Sequence, residues 1–124
     1  GAMKASLKTR KDFLAAARAQ KWVGAVMLVQ QRDREDSDVA IRVGFTASKK
    51  VGNAAQRSRA KRRLRALSAE LLSDHGRPGH DYVWIAKRGA VIAPFGKLRR
   101  DGERALRALT GTEEPEATIG AQKP

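Results

Sequence analysis

The sequence predicts an α+β sandwich: a single domain with one mainly antiparallel sheet and helices packed on it, in the order α-β-β-α-β-α. Three observations carry this. Val39, Ile41, Val43 and Phe45 alternate with Ala40, Arg42, Gly44 and Thr46, the period of two that a half-buried strand requires. Ala60, Leu64, Leu67 and Leu71 recur at steps of four, three and four, one apolar stripe along a helix. Polar punctuation separates these segments, so helix and strand periods alternate along one chain.

Taken in order, Thr9 with Asp12 three residues on has the spacing of a capped helix start, and Phe13, Leu14 and Ala17 share a face of a short helix ending near Gln20. Trp22 to Gln31 is mostly apolar and reads as one buried strand. Arg32 to Ser37 is polar and predicts a turn into the alternating strand, the two strands forming an antiparallel hairpin. Ser48 to Asn53 is a Gly-containing connection, and Asn53 with Gln56 again has cap spacing, so the striped helix should start there and run to about Ser73. His75-Gly76-Arg77-Pro78-Gly79 stops it. Tyr82 to Lys87 is a third strand, and Pro94 suits the first turn of a last helix with Leu98, Ala105 and Leu109 inward.

At the ends, Gly1-Ala2 before Met3 reads as a cloning remnant, with 1–6 an extension, 7–110 the domain and 111–124 a disordered tail.

Composition narrows the function. The chain has 124 residues, 26 Lys or Arg against 13 Asp or Glu, and a net charge of +13. With 41% hydrophobic residues it has enough apolar content for a core, unlike a basic tail. It has no cysteine, which excludes disulfides, zinc knuckles, iron–sulfur clusters and thiol catalysis. Its longest apolar run, Trp22 to Val29, falls well short of the roughly 20 residues that span a bilayer.

The charge is also segregated. Val39 to Ala69 holds nine basic residues and no acid, and Tyr82 to Arg100 is a second acid-free run. Segregation costs self-repulsion that a polyanion relieves, which favours nucleic acid as partner over a merely solvated helix face. On the middle helix, Arg57, Lys61 and Arg65 form one ridge beside the apolar stripe. Arg59 and Arg63 form another on its other flank, with Arg62 further out. Heptads are absent, and the apolar stripe is Ala and Leu without the Trp or Phe of a membrane-surface helix.

Of the six aromatics, Phe13, Trp22, Phe45, Tyr82, Trp84 and Phe95, most read as core, with Phe13 the candidate for lining a nucleotide cleft. His75 and His80 flank a turn and read as surface-loop residues, and Asp12, Asp81 and Asp101 as caps or ion-pair partners. Three classes share this composition: a ribonucleoprotein cofactor, a structural RNA-binding protein of ribosomal type, and a metal-dependent nuclease. The last needs clustered carboxylates for its metals, and the basic regions have none.

The block Lys49-Lys50-Val51-Gly52-Asn53-Ala54-Ala55-Gln56-Arg57-Ser58-Arg59-Ala60-Lys61-Arg62-Arg63-Leu64-Arg65 resembles the signature segment of the bacterial ribonuclease P protein subunit. Lys11 to Phe13, Arg42 to Gly44 and Asp81 to Val83 fit the same family in order and spacing, so the resemblance covers residues 7 to 109. It implies a fold similar to a ribosomal protein domain, with a left-handed crossover. It implies a protein cofactor, in the cytoplasm, of a ribozyme that cleaves precursor tRNA to make the mature 5′ end. The RNA performs the Mg2+-dependent hydrolysis, and the protein contributes no catalytic residue and no dedicated metal site.

The implied partners are the catalytic RNA and precursor tRNA, with no membrane and no small-molecule substrate. By the same resemblance, Lys49, Lys50, Asn53, Arg57, Ser58, Arg59, Arg62 and Arg63 meet the catalytic RNA. Phe13, Lys61 and Arg65 meet the single-stranded 5′ leader, in a cleft between the sheet face and the first helix. Two positions depart from the family pattern. Ser58 replaces the central amide of the Arg-Asn-Arg triplet, leaving one hydroxyl in place of a two-pronged contact. Ala17 stands where many relatives place a second aromatic, so leader stacking rests on Phe13 and the sheet surface.

Overall fold

The structure is a computed structural model that describes residues 4–111; residues 112–124 of the predicted tail and the first three residues lie outside the described residues. Its elements are β1 (Lys4–Ser6), α1 (Arg10–Ala17), β2 (Gln20–Val23), β3 (Met27–Asp33), β4 (Ile41–Ala47), α2 (Ala54–His75), β5 (His80–Ala86) and α3 (Phe95–Thr110). Two 3-10 turns, Lys49–Val51 and Arg88–Val91, precede α2 and α3. The five strands form one sheet in the order β1-β4-β5-β3-β2.

The α+β architecture stands, with several differences in pairing. The run from Trp22 to Gln31 is not one strand but the hairpin β2–β3, closed by Gly24 N–H donating to the Met27 carbonyl at 2.9 Å and pairing Trp22 with Val29. Gly24 makes this turn because the Trp22 ring occupies the space a β-carbon there would take. β3 and β4 do not form the expected hairpin. β5 lies between them, antiparallel to β3 and parallel to β4. Its sequence explains this: His80 to Ala86 is buried on both faces except for a half-exposed Ile85, the signature of a central strand. With β1 also parallel to β4, the sheet is evenly mixed rather than mainly antiparallel. The first helix ends at Ala17 and leaves Gln20 to start β2, and Lys4–Ser6, read as an extension, pairs with Ile41–Val43.

Both faces of the sheet are covered. On one, Val29, Tyr82 and Trp84 pack with Leu64 and Leu67 of α2 and Leu98 and Leu106 of α3. These are among the largest fully buried side chains. Burying one such Leu stabilises the fold by about 1.5–3 kcal/mol, so this layer dominates. On the other face α1 forms a smaller cluster, Leu7, Ala16 and Val83, with Phe13 and Ile85 packed against it.

Burial pushes the Tyr82 hydroxyl up to about 12; this oxygen accepts from the Arg77 backbone N–H at 3.1 Å. No helix among the described residues is long and apolar enough to cross a membrane.

Candidate nucleic-acid interface

The entry into α2 is locked by its own sequence. Ser48 caps the 3-10 turn, its hydroxyl accepting from the Lys50 N–H at 3.3 Å. Gly52 then takes a φ of 150°, with the Gln56 side chain where a β-carbon would stand. That combination requires glycine. Asn53 and Gln56 form a reciprocal capping box: Gln56 N–H donates to Asn53 Oδ1 and Asn53 N–H to Gln56 Oε1, both at 2.8 Å. The first turn of α2 contains no acid. Its positive dipole end therefore adds to the lysines just before it.

Around this terminus the cations divide by what they touch. Lys49, Lys50, Ser58 and Arg62 are exposed. Arg57 Nη1 donates to the Gly52 carbonyl at 2.9 Å. Arg59 Nε donates to the Val91 carbonyl at 2.9 Å, and Arg63 to those of Ala90 at 2.8 Å and Ala93 at 2.5 Å. The second ridge therefore has a structural task the sequence does not disclose: it satisfies carbonyls of the segment between β5 and α3. Burial, with the charge of Arg59 beside it, pulls Arg63 below the ordinary guanidinium value. A guanidinium has five N–H donors, so each keeps donors for a phosphate. Arg88 closes the region by donating to the Lys50 carbonyl at 3.1 and 3.3 Å.

The first ridge leads elsewhere. Arg65 lies over the Phe45 ring, 5.0 Å from its centroid. The two line a shallow groove of about 250 Å³ with Lys4, Ser6 and Val43, between α2 and the β1–β4 edge. Lys61 stands one turn earlier, half-buried. Phe13 is not in this groove. It packs over Gly44 on the α1 face, whereas Phe45 packs against the α2 face. Adjacent residues of β4 point to opposite faces. The structure thus brings Lys61 and Arg65 together and separates Phe13 from them by the thickness of the sheet.

Beneath α1 lies a charge network that in the sequence is visible only as scattered carboxylates. Asp81, fully buried, accepts from Arg42 Nε and Nη2 at 2.8 Å each, Arg34 Nη1 at 2.9 Å and Arg32 Nη1 at 3.4 Å. The Asp81 hydrogen bond, against opposing burial, raises Arg42. Asp12 joins from α1, pairing with Arg42 at 3.3 Å and Arg32 at 3.5 Å. Its carboxylate is held below the ordinary value, first by the Thr9 hydroxyl, against opposing burial, and then by Arg42 and Arg32.

The signal available in the sequence is an acid inside the apolar run of β5. Asp101 likewise is buried and pairs with Lys97 at 3.3 Å. His80 departs from expectation: it is 8% exposed and begins β5, its Nδ1 2.9 Å from the Pro78 carbonyl. His75, half-buried, ends α2 rather than lying in the loop. Among the described residues no three His, Asp or Glu are grouped to hold a metal ion.

Comparison with known proteins bears on this geometry. The family model described as Ribonuclease P matches residues 2–110. The chain is 51% identical over 105 residues to the ribonuclease P protein component of Ruegeria pomeroyi, covering 83% of this chain and 84% of the relative. It is 46% identical over 103 residues to that of Caulobacter vibrioides, covering 83% and 69%. Among solved structures, the RNase P protein of Staphylococcus aureus superposes with a TM-score of 0.69 at 23% identity, covering 84% of this chain and 94% of that one. That of Thermotoga maritima superposes at 0.66 and 23%, covering 88% and 97%. At that identity these two speak for the fold alone.

Proposed function

Because the chain belongs to the ribonuclease P protein family, we propose that it acts as the protein cofactor of an RNA enzyme, binding the catalytic RNA and the single-stranded 5′ leader of precursor tRNA. The observation that carries this reading is the start of α2. A capped helix terminus free of acid is flanked by Lys49 and Lys50 and presents Arg62 and Ser58 to solvent. Phosphate oxygens suit such a surface, and each one neutralised releases condensed counterions.

The protein supplies charge and position, while the Mg2+-dependent hydrolysis, in the cytoplasm, belongs to the RNA. Arg59 and Arg63 serve doubly, holding the segment before α3 and lending their remaining N–H groups to the RNA. For the leader, the geometry favours a path over the edge of β4. β1 pairs only with Ile41–Val43, which leaves residues 44–47 without a strand partner on that side among the described residues. A single strand crossing there would pass from the ring of Phe13 to the groove of Arg65, with Lys61 one helical turn earlier, stacking a base on one face and setting phosphates on the other.

The deciding experiment is precursor-tRNA processing with and without the catalytic RNA. The expected result is stimulation of cleavage only when the RNA is present. Cleavage by the protein alone would make it a nuclease in its own right. Binding without stimulation would make it a structural RNA-binding protein.

A further inference from the structure

Among the described residues Ile92 is the most exposed large hydrophobic side chain, 82% open to solvent. We propose that it is an apolar RNA contact, packing on the face of an unpaired base of the catalytic RNA while Arg59 and Arg63 hold that nucleotide's phosphate. The proposal rests on the reading of this chain as an RNA cofactor and adds to it a contact that carries no charge.

A single exposed aliphatic residue is ordinary on a protein surface. Ile92 is set apart by how firmly its backbone is held. It follows the 3-10 turn Arg88–Val91, in which Ala90 and Val91 are buried in the main core. Carbonyls on both sides of it are taken by arginines of α2: Val91 by Arg59 at 2.9 Å, Ala90 by Arg63 at 2.8 Å and Ala93 by Arg63 at 2.5 Å. The Ala93 N–H closes the turn on the Gly89 carbonyl at 3.0 Å. The backbone is thus pinned before and after Ile92, and the side chain between is left to solvent. A tip held in place this way loses little further freedom on binding.

The surroundings name the partner. No acid occurs from Val39 to Ala69 or from Tyr82 to Arg100, the two runs that meet here. Arg88 joins them by donating to the Lys50 carbonyl at 3.1 and 3.3 Å. An apolar tip in a cationic rim suits a ligand that has an anion beside an apolar face, as a nucleotide does. In a paired A-form helix the base faces are stacked on one another, and the grooves present hydroxyls and base edges. Only an unpaired, splayed base offers its face to an aliphatic side chain. Pro94, also exposed and two residues on, widens the platform.

The test separates apolar from ionic binding by salt. The affinity of the full chain for transcribed ribonuclease P RNA from the same organism is measured over a range of salt concentrations. Ile92→Ala should weaken binding about tenfold, the loss of part of a covered aliphatic side chain. The loss should be equal at every salt concentration, because no counterion is released at this contact. The melting temperature of Ile92→Ala should match that of the unaltered protein, since the position is exposed. The chain has no cysteine, so Ile92→Cys provides a single attachment point for a photoactivatable aryl azide. Irradiating the complex should crosslink it to a small set of unpaired nucleotides. Unchanged affinity in Ile92→Ala, a flattened salt slope, crosslinks confined to paired nucleotides, or no crosslink would each overturn the proposal. A change in the oligomeric state of the free protein on Ile92→Ala would make the tip a self-association contact and overturn it likewise. An unaltered chain that fails to bind the RNA would overturn the cofactor reading and this proposal together, whereas tight binding indifferent to Ile92 would overturn this proposal alone.

Discussion

The ring of Phe13 sits directly over Gly44, so close that a β-carbon on Gly44 would lie 2.6 Å from two ring atoms. This pair sets the seat of α1 on the sheet, because the strand position opposite the helix is bare of side chain. Gly44→Ala should therefore push the ring outward and destabilise the protein by about 1 kcal/mol, at the low end for overpacking because a ring tip can swing. In thermal unfolding that corresponds to roughly 4–8 °C for a domain of this size. A melting temperature that rises instead would show the ring held loosely and the strand gaining from the added methyl.

The network below α1 predicts a larger effect. Asp81→Asn removes a carboxylate to which Arg34 and Arg42 both donate, leaving guanidinium groups facing a neutral amide. Breaking a buried charge cluster from one side costs about 3–5 kcal/mol. Chemical denaturation should show it, and a loss under about 1 kcal/mol would mean that water already screens the cluster. Asp12 adds a pH dependence. Its folded value is depressed, so its contribution is present above the unfolded carboxylate value near 3.8 and disappears as pH falls through the folded one. Stability should therefore fall below about pH 4, and less steeply in Asp12→Asn.

The division among the α2 cations makes stability and RNA affinity separable. Arg63→Ala strips donors from the carbonyls of Ala90 and Ala93 and should cost about 1–3 kcal/mol of stability. Arg62→Ala, at an exposed position, should change stability by less than about 0.5 kcal/mol. It should instead reduce the slope of log affinity against log salt, by roughly 0.7–0.9 for each phosphate that Arg62 neutralises. A slope in Arg62→Ala equal to that of the unaltered protein would remove Arg62 from the interface.

Local signals and tertiary contacts were not equally legible. Both helix caps at Thr9 and Asn53 follow from side chains reaching three residues along the chain, and the structure has them where the sequence puts them. The α2 stripe is equally local, and Ala60, Leu64, Leu67 and Leu71 are all buried. The insertion of β5 between β3 and β4 was not legible, because a hairpin between consecutive strands and a crossover through α2 leave the same alternating pattern. Nor could helical spacing alone show that Arg59 and Arg63 face the carbonyls of Val91, Ala90 and Ala93. A cation ridge reads the same whether its partner is a phosphate or a loop. The separation of Phe13 from Arg65 turns on a single residue of β4 register, Gly44 facing one side and Phe45 the other, which no periodicity fixes across elements.

That separation sharpens what leader length should reveal. If a single-stranded leader crosses the β4 edge, it meets Phe13 and the pair Lys61 and Arg65 at different nucleotides, because the two sites lie on opposite faces. Phe13→Ala should lose one base stack, with no second ring at Ala17 to compensate, and weaken a long-leader precursor by about 1 kcal/mol, or five- to tenfold. Lys61→Ala and Arg65→Ala should also weaken long-leader binding, but the leader length at which their effect begins should differ from that of Phe13→Ala. Mature tRNA and a precursor with a one-nucleotide leader should be nearly unaffected by all three. Combining Phe13→Ala with Arg65→Ala should give additive losses, within about 0.5 kcal/mol, because the two side chains lie on opposite sides of the sheet. The measurement is holoenzyme affinity against leader length for each variant. Equal weakening at every length would place these residues against the catalytic RNA instead. A single shared onset with strong coupling would mean that one nucleotide bridges both, which the intervening sheet forbids, and the edge-crossing path would fall.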